Sequence, residues 1–189
     1  LQVIPNPLPF FFSEKSSLEN KKVIAVGKQS YQKSYDRLLK SWALLGKEFK
    51  DWELHIYGKF DENLGLENLA KDLKIQNQVY FHLPEKKIEE KYAESSIFVL
   101  SSRYEGFGMV LIEAMSFGIP CVSFDCNYGH SDIIKDNEDG FLVKNGDEET
   151  FAKKLQLLMK DENLRKEMGK KAKTNVECFL PENVVKNWD

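Results

Sequence analysis

Glu105 and Glu113 stand eight positions apart in Tyr104-Glu-Gly-Phe-Gly-Met-Val-Leu-Ile-Glu113, where a glycine-bearing loop runs into an apolar, helix-forming stretch. Gly106 and Gly108 let backbone come close to a ligand, and a helix opening near Met109 aims unpaired N–H groups and a positive dipole end at an anion. A diphosphate fits that description. Glu105 lies just before the helix start and Glu113 about a turn inside it, so both carboxylates can reach one ligand. Carboxylates are poor phosphate ligands but accept hydrogen bonds from sugar hydroxyls. A ligand with hydroxyls on both sides of a diphosphate fits this arrangement, and nucleotide sugars have that shape. Lys28 and Lys33, five positions apart after the first apolar strand, stand where two cations can neutralise a leaving diphosphate; the plain alternative is two solvated surface lysines. Glu105 has its own plain alternative as a dipole partner of the helix start. Glu113 is harder to dismiss, because Met109, Val110, Leu111, Ile112, Ala114 and Met115 make its helix apolar nearly all round, and a buried carboxylate needs a partner.

Holding these groups takes a scaffold, and strand and helix signals alternate along the chain. Short apolar runs at 23–26, 52–57, 79–81, 97–100, 121–124 and 140–143 read as strands. Between and after them, helical spacing recurs at Tyr35, Leu38, Leu39, Trp42 and Leu45, at Leu66, Leu69 and Leu73, and over 88–94, 109–117, 149–159 and 162–176. Gly118 and Pro120 stop the fourth of these helices. The alternation predicts an α/β fold, a Rossmann-like doubly wound parallel sheet of about six strands covered on both faces. Such sheets bind ligands at the carboxyl ends of their strands. Lys28, Leu83, Glu105 and the segment 127–131 each follow a strand, so they are expected to share one site. Residues 1–20, with Pro5 and Pro7 and the short apolar run 8–12, read as a linker or edge segment, and residues 21–189 as the folded domain.

With 189 residues of which 42% are hydrophobic, the chain can bury a full core, and one domain is the natural count. No apolar run approaches the roughly 20 residues that span a bilayer, and no basic amino-terminal region marks a signal peptide. A net charge of -3, from 27 basic and 30 acidic residues mixed throughout, argues against nucleic acid as a partner. Arg165, Lys166, Lys170, Lys171 and Lys173 cluster on one helix, either as a solvated face or as a contact for acidic lipid or a partner. Three cysteines without a Cys-x-x-Cys pair and three histidines without ligand spacing indicate neither a disulfide framework nor a metal held by side chains. A reducing, cytoplasmic compartment is expected. The run His130-Ser131-Asp132 cannot form a Ser-His-Asp relay, which needs convergence from separated positions.

The Glu-Gly-Phe-Gly run with its second glutamate, followed by Ala-Met-Ser-Phe-Gly-Ile-Pro, resembles the Glu-x7-Glu signature of retaining glycosyltransferases of the two-lobed GT-B fold, especially glycosyltransferase family 4. Val23-Ile-Ala-Val-Gly-Lys28 with Lys33 resembles that family's strand, Gly-Arg turn and downstream Lys-Gly, and Asp139-Gly-Phe-Leu-Val143 resembles its Asn-Gly-Leu-Leu-Val strand. Order and spacing agree over nearly the whole chain. The resemblance implies the carboxy-terminal, donor-binding lobe, with the amino-terminal, acceptor-binding lobe missing. By the same resemblance Glu105 sits by the transferred sugar, Glu113 binds the ribose hydroxyls, Lys28 and Lys33 serve the diphosphate, and Gly27 is a substrate-binding position. Gly106, Phe107, Gly108, Met109 and Val110 would contribute backbone, although Phe107 and Met109 are equally candidates for core filling. Leu83 is a place for backbone recognition of the base. The implied reaction is metal-independent transfer of a hexose or N-acetylhexosamine from a UDP-sugar to a glycan or lipid-linked acceptor in polysaccharide assembly. Transfer would occur on the front face, with no cofactor and with Glu105 orienting rather than attacking. The setting implied is the cytoplasm, with peripheral contact of the intact enzyme at the inner membrane face. The alternatives are a nucleotide-sugar epimerase of the same fold, or a nucleotide-binding module without turnover, which is what an isolated lobe would be. Three positions depart from the pattern: Lys28 for arginine, Ser34 for glycine and His130 for proline. Ser34 can instead cap the helix opening at Tyr35.

Overall fold

The computed structural model describes residues 7–8, 14–126 and 129–185. Among these residues six strands form one sheet in the order β3-β2-β1-β4-β5-β6: β1 (Lys22–Val26), β2 (Glu53–Tyr57), β3 (Val79–His82), β4 (Ile97–Leu100), β5 (Cys121–Asp125) and β6 (Gly140–Lys144). Every pairing is parallel. Helices α1 (Tyr35–Ala43), α2 (Leu66–Asp72), α3 (Ile88–Ala93), α4 (Met109–Ser116), α5 (His130–Ile133), α6 (Glu148–Lys160), α7 (Glu162–Asn175) and α8 (Pro181–Val184) accompany them. The expected Rossmann-like doubly wound architecture is what the chain adopts.

Side chains alternate across each strand, so the sheet feeds two hydrophobic layers. Val23 and Ala25 pack with Leu38, Leu39 and Trp42 of α1 and with Phe151 and Leu155 of α6. Ile24 points the other way, to Leu111, Ile112 and Met115 of α4. β4 is buried along its whole length, which is why it reads as an unbroken apolar run. Asp147 and Asp161 start the two closing helices by accepting from Thr150 N and Leu164 N, each at 2.9 Å. Because β1 lies between β2 and β4, the winding reverses there, and the loops leaving β1 and β4 emerge side by side at the carboxyl edge. That edge receives Lys28, Lys33 and Glu105.

The structure corrects several expectations. Arg165 does not belong to the solvated basic face: its side chain is buried, donating to Leu18 O at 3.1 Å and to Leu158 O at 2.6 Å. Its guanidinium also lies 5.3 Å from the Trp52 ring centroid. Position 165 is inward-facing, and the carbonyls ending α6 need donors that no following turn supplies. Ser34 precedes α1 but does not cap it, since its backbone is left-handed, with φ 58°, whereas capping geometry is extended. Its hydroxyl reaches the Asp36 carboxylate at 3.3 Å instead. A left-handed backbone is also what the glycine of the resembled pattern would favour here. Trp52 precedes β2 rather than opening it, because its N–H closes a turn on Phe49 O at 2.9 Å. Of the segment 127–131, residues 129–131 run into α5, and Asn127 and Tyr128 lie outside the described residues. The proposed linker is also largely outside them; of its described residues, Leu8 and Leu18 are buried in the α4 layer.

Candidate functional site

The loop after β1 turns back over its own start. Gly27 has a φ of 153°, which side-chain-bearing residues rarely adopt, and a Cβ there would lie 2.7 Å from Lys33 Cε, so glycine suits the point where the lysine stem crosses. Lys33 Nζ then sits 2.6 Å from Glu105 Oε1, with the two side chains 16% and 10% exposed. Ser102 Oγ donates to the same carboxylate oxygen at 2.6 Å, and Gln32 Nε2 approaches the other at 3.4 Å. Further contacts zip the two loops together. Ser101 Oγ donates to Lys33 O at 2.8 Å, Arg103 N to Gln32 O at 2.8 Å, and the Arg103 guanidinium grips both oxygens of Asp36 at 3.1 and 2.8 Å. Such a planar bidentate pair fixes orientation as well as distance.

Beyond Glu105 the chain reaches Gly108, whose φ of 82° and ψ of 44° suit glycine and which precedes α4 without a side-chain cap. The N–H groups of the first turn, at Met109 and Val110, therefore have no intrahelical acceptor and face the loop. Phe107 and Met109 do pack against the core, Phe107 edge-on to Phe179 at 5.7 Å, so these residues supply filling through side chains and amides through backbone. Glu113 has the partner its apolar helix demands: Tyr92 O–H donates to Oε2 at 3.1 Å. Burial raises the Glu113 pKa, and the Tyr92 hydrogen bond and the Lys33 charge oppose the rise. Lys33 thus acts on both glutamates.

Lys28 is exposed at the mouth of the same loop. Leu83 is 66% exposed after β3, two strand spacings from β1, or about 10 Å, a span a nucleoside can cross. Gly27, Lys28, Lys33, Glu105, Gly106, Phe107, Gly108, Met109, Val110 and Glu113 gather around β1 and β4; Leu83 stands at the far rim. Sequence reading missed Gln32, Ser101, Tyr92 and Arg103, whose partners lie many positions away, and Ser102, which reaches Glu105 three positions on within the same loop. It also left His130 unread. Ser131 and Asp132 are exposed while the His130 ring is buried, so the adjacent triplet is no relay. Among the described residues no group of three or more His, Cys, Asp or Glu could hold a metal ion, and no helix is long and apolar enough to cross a membrane.

The profile of the family described as Glycosyl transferases group 1 matches residues 9–175. The chain belongs to that family. This group 1 chain is 37% identical over 186 residues to an uncharacterized glycosyltransferase of Haemophilus influenzae, covering 98% of the chain and 53% of the relative. It is 36% identical over 178 residues to the amylovoran biosynthesis glycosyltransferase AmsD of Erwinia amylovora, covering 94% and 50%. It therefore spans about half the length of the curated relatives it matches. Among solved structures, a TarM variant of S. aureus in complex with fondaparinux, alpha-GlcNAc-glycerol and UDP superposes with a TM-score of 0.84 at 28% identity, covering 100% of this chain and 37% of that one. The six-stranded sheet and its helices match the fold of GT-B glycosyltransferases.

Proposed function

We propose that this chain is the donor-binding lobe of a retaining, family 4 glycosyltransferase that moves a hexose or N-acetylhexosamine from a UDP-sugar to a glycan or lipid-linked acceptor in polysaccharide assembly. The observation that carries the reading is the Lys33–Glu105 pair of 2.6 Å beside the uncapped mouth of α4, with Glu113 in the same field. UDP in the TarM complex and the amylovoran relative support the nucleotide and the setting.

On this reading the diphosphate lies against the amides of Gly108, Met109 and Val110, and its negative charge draws Lys33 Nζ off Glu105. Glu105 Oε1, still accepting from Ser102, then has room to accept a second hydrogen bond, from a hydroxyl of the transferred sugar. Glu113 accepts from the ribose. Bond cleavage places charge on the leaving phosphate, which Lys33, Lys28 and the helix amides stabilise without a metal ion. That phosphate accepts the acceptor's proton on the face it leaves. A second lobe must bring the acceptor, so the isolated chain binds donor and turns it over poorly.

Calorimetry with UDP and GDP tests the reading. Binding of UDP that Lys33→Ala weakens by about 30-fold or more supports it, since truncating one partner of a desolvated charge pair costs about 2 kcal/mol or more. Glu113→Ala should weaken UDP binding as well. Absence of UDP and GDP binding, or binding indifferent to both substitutions, would refute it.

A further inference from the structure

His130 is fully buried directly behind the mouth of α4. Gly129 brings it there: a Cβ on that residue would lie 3.1 Å from Phe107 O, so the start of α5 is pressed against the Glu105–Gly108 loop. The Cδ2–Nε2 edge of the His130 ring then faces Gly108, whose added Cβ would meet those atoms at 3.1 and 3.3 Å. The opposite side of the ring is anchored. Nδ1 lies 2.8 Å from Phe124 O, which can only accept, so Nδ1 carries the hydrogen; Ser123 Oγ lies 2.9 Å from the same nitrogen. Nε2 is left as the basic atom, on the edge nearest the anion site.

We propose that His130 is a proton-gated positioning residue of the donor site: neutral in the empty chain, it takes a proton from solvent onto Nε2 when a nucleotide sugar docks, and its cation then supports the diphosphate from behind Gly108. The inference rests on the donor-lobe reading and deepens it. The charged and titratable groups around the ring are Glu105 on the β4–α4 loop, Asp125 at the end of β5, Lys33 on the β1–α1 loop and Cys126. Cys126 Sγ lies 3.3 Å from Nδ1 and 3.5 Å from Nε2, but burial, with the Glu105 charge adding, pushes its pKa up to about 11, so it stays a neutral thiol. Burial holds the His130 pKa below its ordinary value, Lys33 acting in the same direction, while the Phe124 carbonyl, Glu105 and Asp125 oppose it. A docked diphosphate adds negative charge and engages Lys33, and both changes favour the protonated ring. The donor-bound value therefore lies above the empty one. Affinity must rise as pH falls through that window, by at most about tenfold for each unit separating the two values.

The test is calorimetry of UDP-N-acetylglucosamine and UDP-glucose, whose diphosphates do not titrate near neutrality, on the 189-residue chain in two buffers of different ionisation enthalpy. From about pH 8 to about pH 6, wild type should take up a fraction of a proton per donor bound and bind several-fold more tightly. His130→Gln, which keeps a polar ring-sized group without the basic nitrogen, should bind donor with neither the uptake nor the slope. In parallel, nitrogen NMR of the wild-type histidines should show Nε2 of His130 gaining a proton on donor addition, which decides the matter even if the variant fails to fold. Donor binding without proton uptake, a slope retained in His130→Gln, or an Nε2 that stays unprotonated in the complex would overturn the proposal and leave the donor-lobe reading standing. No binding of either donor at any pH would remove both.

Discussion

Two lysine–glutamate contacts of nearly equal length occupy opposite kinds of place in this chain: Lys33–Glu105 at 2.6 Å on the carboxyl edge of the sheet and Lys171–Glu167 at 2.8 Å on the outside of α7. The first pair is 16% and 10% exposed, the second 51% and 66%. Water and salt screen the second, and holding two long side chains in one geometry offsets much of its attraction. The first has exchanged water for Ser102, Gln32 and the zipped backbone of two loops. Length alone therefore says little about what an ion pair does. On the proposed reading, a half-dry pair beside a free helix mouth stores a site for an anion, whereas a wet pair along a helix is surface.

The same contrast runs through α7 itself, and it supplies the largest expected effect. Arg165 and Lys166 are adjacent, yet one is buried against carbonyls of Leu18, Leu158 and Met159 and the other pairs with Glu162 at 2.7 Å in solvent. Arg165→Ala should destabilise the fold by about 2–4 kcal/mol, measured by urea unfolding, because it strands acceptors and empties packing volume over Trp52. A loss no larger than that of Lys166→Ala would show that the inward face of α7 contributes no more than the outward one.

Next in size is Lys33→Ala, expected to cost about 1–3 kcal/mol of stability by leaving the Glu105 carboxylate half-satisfied. Joining it to Glu105→Gln sharpens the comparison. The double variant should regain most of that stability, since no uncompensated charge remains, but should not regain UDP binding. Recovery of both would mean that the pair serves the fold rather than the ligand.

What the sequence discloses and what it hides divide along the same line. β1 and β4 are legible because strands covered on both faces must be apolar throughout, and α4 because Gly108, Gly118 and Pro120 bracket it. Glu105 and Glu113 are legible because a carboxylate on an apolar helix or at its mouth demands an explanation. Arg165 is not, since a basic residue among lysines looks solvated until α6 is seen to end against it. The Arg103–Asp36 clasp and the Tyr92–Glu113 bond join positions 67 and 21 residues apart, and only tertiary packing sets such pairings. His130 is the extreme case: its chemistry depends on which ring edge faces Gly108, a fact of three-dimensional approach with no trace in spacing.

Tyr92→Phe should have a smaller effect and one that depends on pH. The tyrosine O–H favours the ionised form of Glu113, whose pKa burial has already raised, so its removal lets that pKa climb further. If Glu113 holds the ribose as proposed, its protonated form accepts the hydroxyls less well. The ratio of wild-type to variant affinity for UDP should be modest at about pH 8 and should widen toward about pH 5, to roughly threefold to tenfold. A ratio that is flat with pH would mean that Tyr92 shapes the pocket without governing the charge.

The smallest effect closes the comparison from its other end. Lys171→Ala removes a contact only slightly longer than Lys33–Glu105, and it should leave the urea midpoint and UDP affinity unchanged within error. The reason lies in the partner: Glu167, once released, returns to water, whereas Glu105 has no such recourse. Raising the salt concentration gives an independent check on one sample, because it should erase whatever Lys171–Glu167 contributes while leaving the Lys33 dependence of stability largely in place. If salt weakened both to the same degree, the partial burial of Lys33 and Glu105 would not be shielding them, and the distinction between a poised pair and a surface pair would fail.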